Sequence, residues 1–100
     1  MNQSLRPFTT FRFVLYVADD TQNSGLAIAN LKAICQAHLP DRHEIEIVDV
    51  YKDPQRALAD RIFMTPILIR LAPAPVRRIV GTLSQTDKVL YALGLVPVAA

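Results

Sequence analysis

One hundred residues, 51% hydrophobic and 20% charged, suit one globular domain with tails and leave too little chain for a second core. Eleven Lys and Arg against nine Asp and Glu give a net charge of +2, spread along the chain with no basic block longer than Arg77-Arg78, which argues against a nucleic-acid interface. No apolar run approaches the ~20 residues of a membrane span, residues 1–7 lack the apolar stretch of a secretory signal, and the single cysteine, Cys35, excludes an internal disulfide, a Cys-x-x-Cys pair and a cysteine-rich zinc site, so the expected location is the cytoplasm.

Residues 1–10 are polar and contain proline, and read as a loose arm. Phe11-Arg12-Phe13-Val14-Leu15-Tyr16-Val17 is aromatic and β-branched, the pattern of a buried strand. Asp19 to Gly25 reads as a loop holding several possible helix N-caps. Ile28, Leu31, Ile34, Cys35 and Leu39 then recur at steps of three and four, an amphipathic helix of roughly four turns that Pro40-Asp41 stops. His43 to Val50 alternates polar and apolar residues, a half-buried strand. Asp53-Pro54 places a cap before a proline at the first helical position and opens a short helix through Ala57, Leu58 and Ala59.

Pro66 to Leu71 is strand-like, and Pro73-Ala74-Pro75 must turn because proline cannot donate to a ladder. Val76 to Val80 reads as a fourth strand leading into Gly81. Ser84-Gln85-Thr86-Asp87 resembles a capping box with aspartate in the glutamate place. The helix it opens runs through Val89, Leu90 and Leu93, with Gly94 suited to its C-terminal turn, Pro97 beyond it, and 96–100 as a tail. The order strand, helix, strand, helix, strand, strand, helix predicts a thioredoxin-like βαβαββα domain over 11–95, with a mixed four-stranded sheet and helices on both faces. Thr65-Pro66 falls where such domains carry a cis-proline.

Thioredoxin chemistry needs a nucleophilic thiolate between the first strand and first helix; Ala18 to Ser24 offers none. Cys35 lies on the apolar stripe of the helix, as a small buried hydrophobe. Asp19 and Asp20 read as solvent-exposed caps near a helix N-terminus, with no second cluster to complete a catalytic pair. His38 and His43 flank a turn without the further ligands a metal needs. No phosphate-binding or nucleophile-elbow motif occurs. Catalytic, metal and cofactor sites are therefore not expected. Arg77-Arg78 fits either an edge strand protected by charge or an anchor for a partner's carboxylates. Tyr51-Lys52-Asp53-Pro54 and Arg61 stand between the same two roles.

Leu15-Tyr16-Val17-Ala18, Thr21-x-Asn23-Ser24, Val48-Asp49-Val50, Lys52-Asp53-Pro54, Thr65-Pro66, Pro75-Val76-Arg77-Arg78-Ile79-Val80-Gly81 and Leu83-Ser84 together resemble, in order and spacing, the KaiB clock proteins. The resemblance covers roughly residues 11–95 and is most specific from Pro73 through Ser84. It implies a non-catalytic regulator of the hexameric ATPase and autokinase KaiC, with KaiA or a clock histidine kinase as further partners. It also implies a second fold: a resting form, usually a homo-tetramer, ordered βαββααβ, alongside a monomeric thioredoxin-like form that binds KaiC. By match of position, partner contacts fall on Lys52, Asp53, Pro54, Arg61, Thr65 and Pro66, with Arg77 and Arg78 for further partners. The family commonly has glycine where Ala92 stands and aspartate where Gly94 stands. Alanine for glycine inside a helix contributes up to about 1 kcal/mol, roughly fivefold in population, and Gly94 suits a helix C-terminus, so both positions are expected to favour the thioredoxin-like form. The acidic C-terminal tail of many cyanobacterial members is absent, and a basic residue common early in the first helix is missing at Gly25-Leu26. The competing expectations are a thioredoxin-like redox or stress protein, a stand-alone sensor module for a histidine kinase, and a KaiB-like fold serving a different partner.

Overall fold

A computed structural model describes residues 9–19 and 21–95; Asp20, Pro97, the tail 96–100 and most of the expected arm lie outside the described residues. The elements run β1 (Phe11–Val17), α1 (Gln22–His38), β2 (His43–Asp49), α2 (Pro54–Ala59), β3 (Ile67–Ala72), β4 (Arg77–Val80) and α3 (Thr86–Leu93). The strands form one sheet in the order β2-β1-β3-β4. β2 is parallel to β1, whereas β3 runs antiparallel to both β1 and β4. This is the mixed sheet expected of a thioredoxin-like βαβαββα chain, and the βαββααβ order is not the one adopted.

β1 lies inside the sheet and is covered on both faces, which is why its sequence reads as a nearly unbroken apolar run. Phe11, Phe13, Leu15 and Val17 pack with Ala27, Leu31, Ile34, Cys35 and Leu39 from α1 and its end, and with Val89, Leu90 and Leu93 of α3. Val14 and Tyr16 point the other way, into a smaller layer with Val48, Ala57, Ile67 and Ile69. The period-two alternation of β1 thus divides the core between α1 and α3 on one side and α2 on the other. Each fully buried leucine here, such as Leu15, Leu31 or Leu68, contributes about 1.5–3 kcal/mol. β2 is an edge strand, so its alternation is only half used: Val48 is buried while Ile47 stays 40% exposed.

The N-terminus of α1 departs from the sequence pattern, which predicts a loop over Asp19 to Gly25. The helix begins at Gln22 with Thr21 as N-cap. The Thr21 hydroxyl oxygen accepts the Ser24 amide at 3.3 Å and its proton goes to Ser24 Oγ at 2.8 Å. Ser24 Oγ in turn accepts the Ala18 amide at 3.0 Å. Ser24 is therefore needed inside the first turn, where it is buried, and the cap falls three residues earlier. The expected capping box before α3 is not formed either. Gln85 occupies the N-cap without a side-chain bond, and the Ser84 hydroxyl accepts from Thr82 Oγ1 at 3.1 Å instead. At the other end Gly94 adopts φ +74° and lets the Leu95 amide reach Leu90 O at 2.8 Å, the Schellman closure its sequence position suggested. The Thr65–Pro66 bond is cis, as are Ala72–Pro73 and Ala74–Pro75.

Candidate functional site

The β1–α1 turn, where a thioredoxin keeps its thiols, holds Thr21 and Ser24 in a hydroxyl network that orders backbone. Cys35 is fully buried, and burial pushes its thiol up to about 11, so it stays protonated at neutral pH. Among the described residues no three metal-ligating side chains converge, and no helix is long and apolar enough to cross a membrane.

The predicted contact residues gather instead around α2. Asp49 starts the corner: its carboxylate accepts the Tyr51 amide at 2.8 Å, and its carbonyl accepts the Lys52 and Asp53 amides at 3.1 and 2.9 Å. Asp53 then caps α2 through the Arg56 amide at 3.4 Å, and Pro54 occupies the first turn, where its missing N–H is no loss. Lys52, Asp53 and Pro54 are all exposed. Arg56 reaches back to the edge strand and makes a two-pronged pair with Glu46 at 2.5 and 2.7 Å; that hydrogen bond holds the Glu46 carboxyl below its usual range and the guanidinium above its own. Underneath, Tyr16 donates its hydroxyl to the Asp60 carboxylate. Burial, reinforced by Asp60, pushes the phenol from the usual 10 up to about 12.

α2 ends at Arg61, whose φ of +57° is left-handed. The Ile62 amide bonds to Ala57 O at 2.9 Å and the Arg61 amide to Leu58 O at 3.0 Å. That is the helix-ending geometry in which glycine is the usual residue, yet an exposed arginine stands there. Arg78 braces the same corner from β4, donating to Asp60 O at 2.6 Å and to Arg61 O at 3.5 Å. Arg77 and Arg78 do not divide into one inward and one outward side chain. Both are exposed because β4 is an edge strand that neither helix layer fully covers, and they lie on opposite faces of it. Thr65 is half-buried and Pro66 buried, so of that pair only Thr65 has surface to offer. Ala92 is half-buried on α3, and Gly94 closes that helix.

Two features escaped the sequence reading. Leu58, Phe63 and Met64, on α2 and the loop after it, are 71, 84 and 55% exposed, and they join Tyr51, already marked in the sequence and 73% exposed. The available signal was that Phe63-Met64 fits neither a helical nor a strand period beside the proline turn. The other is Arg70, 6% exposed within β3. Its guanidinium donates to Leu93 O and Pro75 O, both at 2.7 Å, and lies 5.9 Å from the centre of the Phe11 ring. Its Nε has no partner among the described residues, and burial, with Arg77 as the lesser cause, pulls Arg70 below the ordinary arginine value. Arg70 ties the end of α3 to the β3–β4 turn, and the clue was one arginine in an otherwise apolar strand.

Comparison with known proteins agrees with this architecture. A family profile described as the KaiB domain matches residues 14–95. Circadian clock protein KaiB3 of Synechocystis sp. is 46% identical over 83 residues, covering 83% of this chain and 81% of that protein. The circadian clock oscillator protein KaiB of Synechococcus elongatus is 42% identical over 91 residues, covering 91% and 89%. Among solved structures, the N-terminal domain of Synechococcus elongatus SasA superimposes with a TM-score of 0.70 at 19% identity, covering 100% of this chain and 96% of that one. Chloroplastic thioredoxin z gives 0.71 at 19% identity over 86% and 78%. Both structural likenesses speak for the thioredoxin-like fold, while the family profile and the two clock relatives place the sequence itself: the chain belongs to the KaiB family of circadian clock proteins.

Proposed function

We propose that this protein is a non-catalytic clock regulator whose domain, residues 11–95, docks onto a KaiC-like hexameric ATPase through the α2 corner. The observation that carries the reading is Arg61. A non-glycine residue held at a left-handed helix end stores a local conformational penalty, and such penalties concentrate at functional positions; Asp19, Asp41 and Leu83 share the positive φ, and what sets Arg61 apart is its place among exposed apolar residues at the end of α2. Leu58, Phe63 and Met64 lie within three residues of it in the chain and Tyr51 lies on the other flank of α2, all four exposed, with Lys52 and Asp53 as charged neighbours of Tyr51. Apolar anchors within a charged rim are the composition of a protein–protein interface. In this reading Lys52, Asp53, Arg61 and Thr65 make surface contacts. Pro54 and Pro66 fix the backbone that presents them.

Further partners, KaiA or a clock histidine kinase, engage Arg77 and Arg78; a kinase whose sensor domain shares this fold competes for the same ring. A monomer is the docking form and a homo-tetramer the resting one. Ala92 within α3 and Gly94 at its end favour the docking form. Action in the cytoplasm follows from the same reading. Size-exclusion chromatography of the purified chain with its cognate KaiC and ATP tests it. Co-elution that weakens on Phe63→Ala and Arg61→Ala is expected. Absence of any complex, or substrate turnover by the chain alone, overturns it.

A further inference from the structure

A second surface lies on the far side of β4. The Gly81 amide bonds to Pro66 O at 2.9 Å, and the strand register pairs Leu68 with Ile79 and Arg70 with Arg77. In an antiparallel ladder the residues that exchange hydrogen bonds alternate with those that do not. Gly81, Ile79 and Arg77 therefore turn their backbone groups toward β3, and Arg78 and Val80 turn theirs outward. β4 is the last strand of the sheet. Beside it an open groove of ≈ 580 Å³ runs between β4 and α3, with Ile79, Val80 and Gly81 on one side and Lys88, Val89 and Ala92 on the other.

We propose that this edge is a docking site for an acidic, extended segment of a partner protein, which adds to the sheet as a fifth strand. The outward amide and carbonyl groups of Arg78 and Val80 supply the main-chain bonds of strand addition. The charge selects the occupant. Arg77 and Lys88 lie toward the α3 side and Arg78 toward the α2 side, and among the described residues none of the three lies within 4.0 Å of a carboxylate. Arg78 keeps donors to spare beyond its two carbonyl bonds. An incoming strand presents side chains to both faces in alternation, so carboxylates on either face meet a cation, and an apolar residue meets the half-exposed Val80.

A second copy of this chain fits less well. β4 against β4 sets arginine pairs against each other, which is unfavourable across strands. The other free edge, β2, is acidic, but its Glu44 and Glu46 are already engaged by Arg12 at 3.3 Å and by Arg56 at 2.5 Å. The proposal rests on the reading of Arg77 and Arg78 as partner contacts but not on ring docking, and its test contains no ATPase.

The probe is an N-acetylated eight-residue peptide of alternating glutamate and valine, titrated into the ¹⁵N-labelled chain, with the lysine–valine peptide as control. The acidic peptide is expected to shift the Arg78 and Val80 amides, slow their hydrogen exchange and lose affinity with salt, leaving the β2 amides unmoved. The variant Arg77→Glu/Lys88→Glu keeps the Arg78 brace and a dispersed spectrum, binds the acidic peptide about tenfold more weakly or not at all, and gains affinity for the lysine peptide. Equal binding of both peptides, shifts centred on β2, self-association through β4, or no shift at millimolar peptide would each overturn the assignment.

Discussion

Replacing Arg61 by glycine separates stability from docking. At φ +57° an L-residue is penalised by roughly 1–2 kcal/mol, a penalty glycine escapes. Glycine also gains freedom in the unfolded chain, which takes back about 0.4–1 kcal/mol. No hydrogen bond of the Arg61 side chain is lost among the described residues, because the corner is held by the Ile62 amide on Ala57 O and by the Arg78 guanidinium on the Asp60 and Arg61 carbonyls. The net expectation for Arg61→Gly is a gain of about 0.5–1 kcal/mol, a few-fold in the folding equilibrium, read by urea denaturation with an unchanged slope. The same variant is expected to bind the ATPase ring more weakly, the usual trade where a strained residue serves function. A variant that is less stable than the parent refutes the backbone argument. A variant that is more stable and binds as well as the parent refutes the functional one.

Three other substitutions probe the frame around the site. Arg70→Met keeps the apolar stem against Phe11 but removes both bonds that hold the end of α3; after offsetting the partnerless Nε, a loss of about 2 kcal/mol is expected, with faster amide exchange over Leu90 to Leu93, and a change below about 0.5 kcal/mol in urea denaturation would contradict it. Gly94→Ala should lower stability by about 1 kcal/mol in thermal unfolding through its φ of +74°; its new Cβ meets the Arg70 guanidinium only at 3.6 Å, so a loss of several kcal/mol would point to a clash instead. Tyr16 holds its proton more tightly when folded, with its pKa raised from 10 to about 12, so its contribution is complete below pH 10 and disappears as pH rises from 10 to 12. Denaturation profiles should fall over that window in the parent, and the part due to Tyr16 should be missing in Tyr16→Phe.

Much of the fold was legible because local and global preferences agree. Phe11 to Val17 is apolar on both faces and β1 is covered on both; Asp53-Pro54 and Gly94 sit at helix ends that need their backbone properties. The start of α1 was not legible, because Thr21, Asn23 and Ser24 are all good caps and only the distant Ala18 amide decides among them. The box before α3 failed for a related reason, as the Ser84 hydroxyl found a nearer partner in Thr82. At the candidate site, the residues alone left Tyr51, Lys52, Asp53, Pro54 and Arg61 between solvated surface and interface, and the resemblance assigned Lys52, Asp53, Pro54 and Arg61, with Thr65 and Pro66, to partner contact. The sequence could not show that Arg61 occupies a glycine conformation, that Phe63 stays uncovered, or that Arg78 is bound to two carbonyls. Arg70 was hidden most deeply: nothing in the local sequence says that a carbonyl twenty-three residues further on will accept from it.

Hydrogen exchange on the chain bound to its cognate ATPase ring, resolved by residue, tests the docking account most directly. Protection concentrated over residues 51–66, on α2 and the loops on either side, is the expected result. Protection confined to α1 or the β2 edge, with 51–66 exchanging as in the free chain, would contradict it.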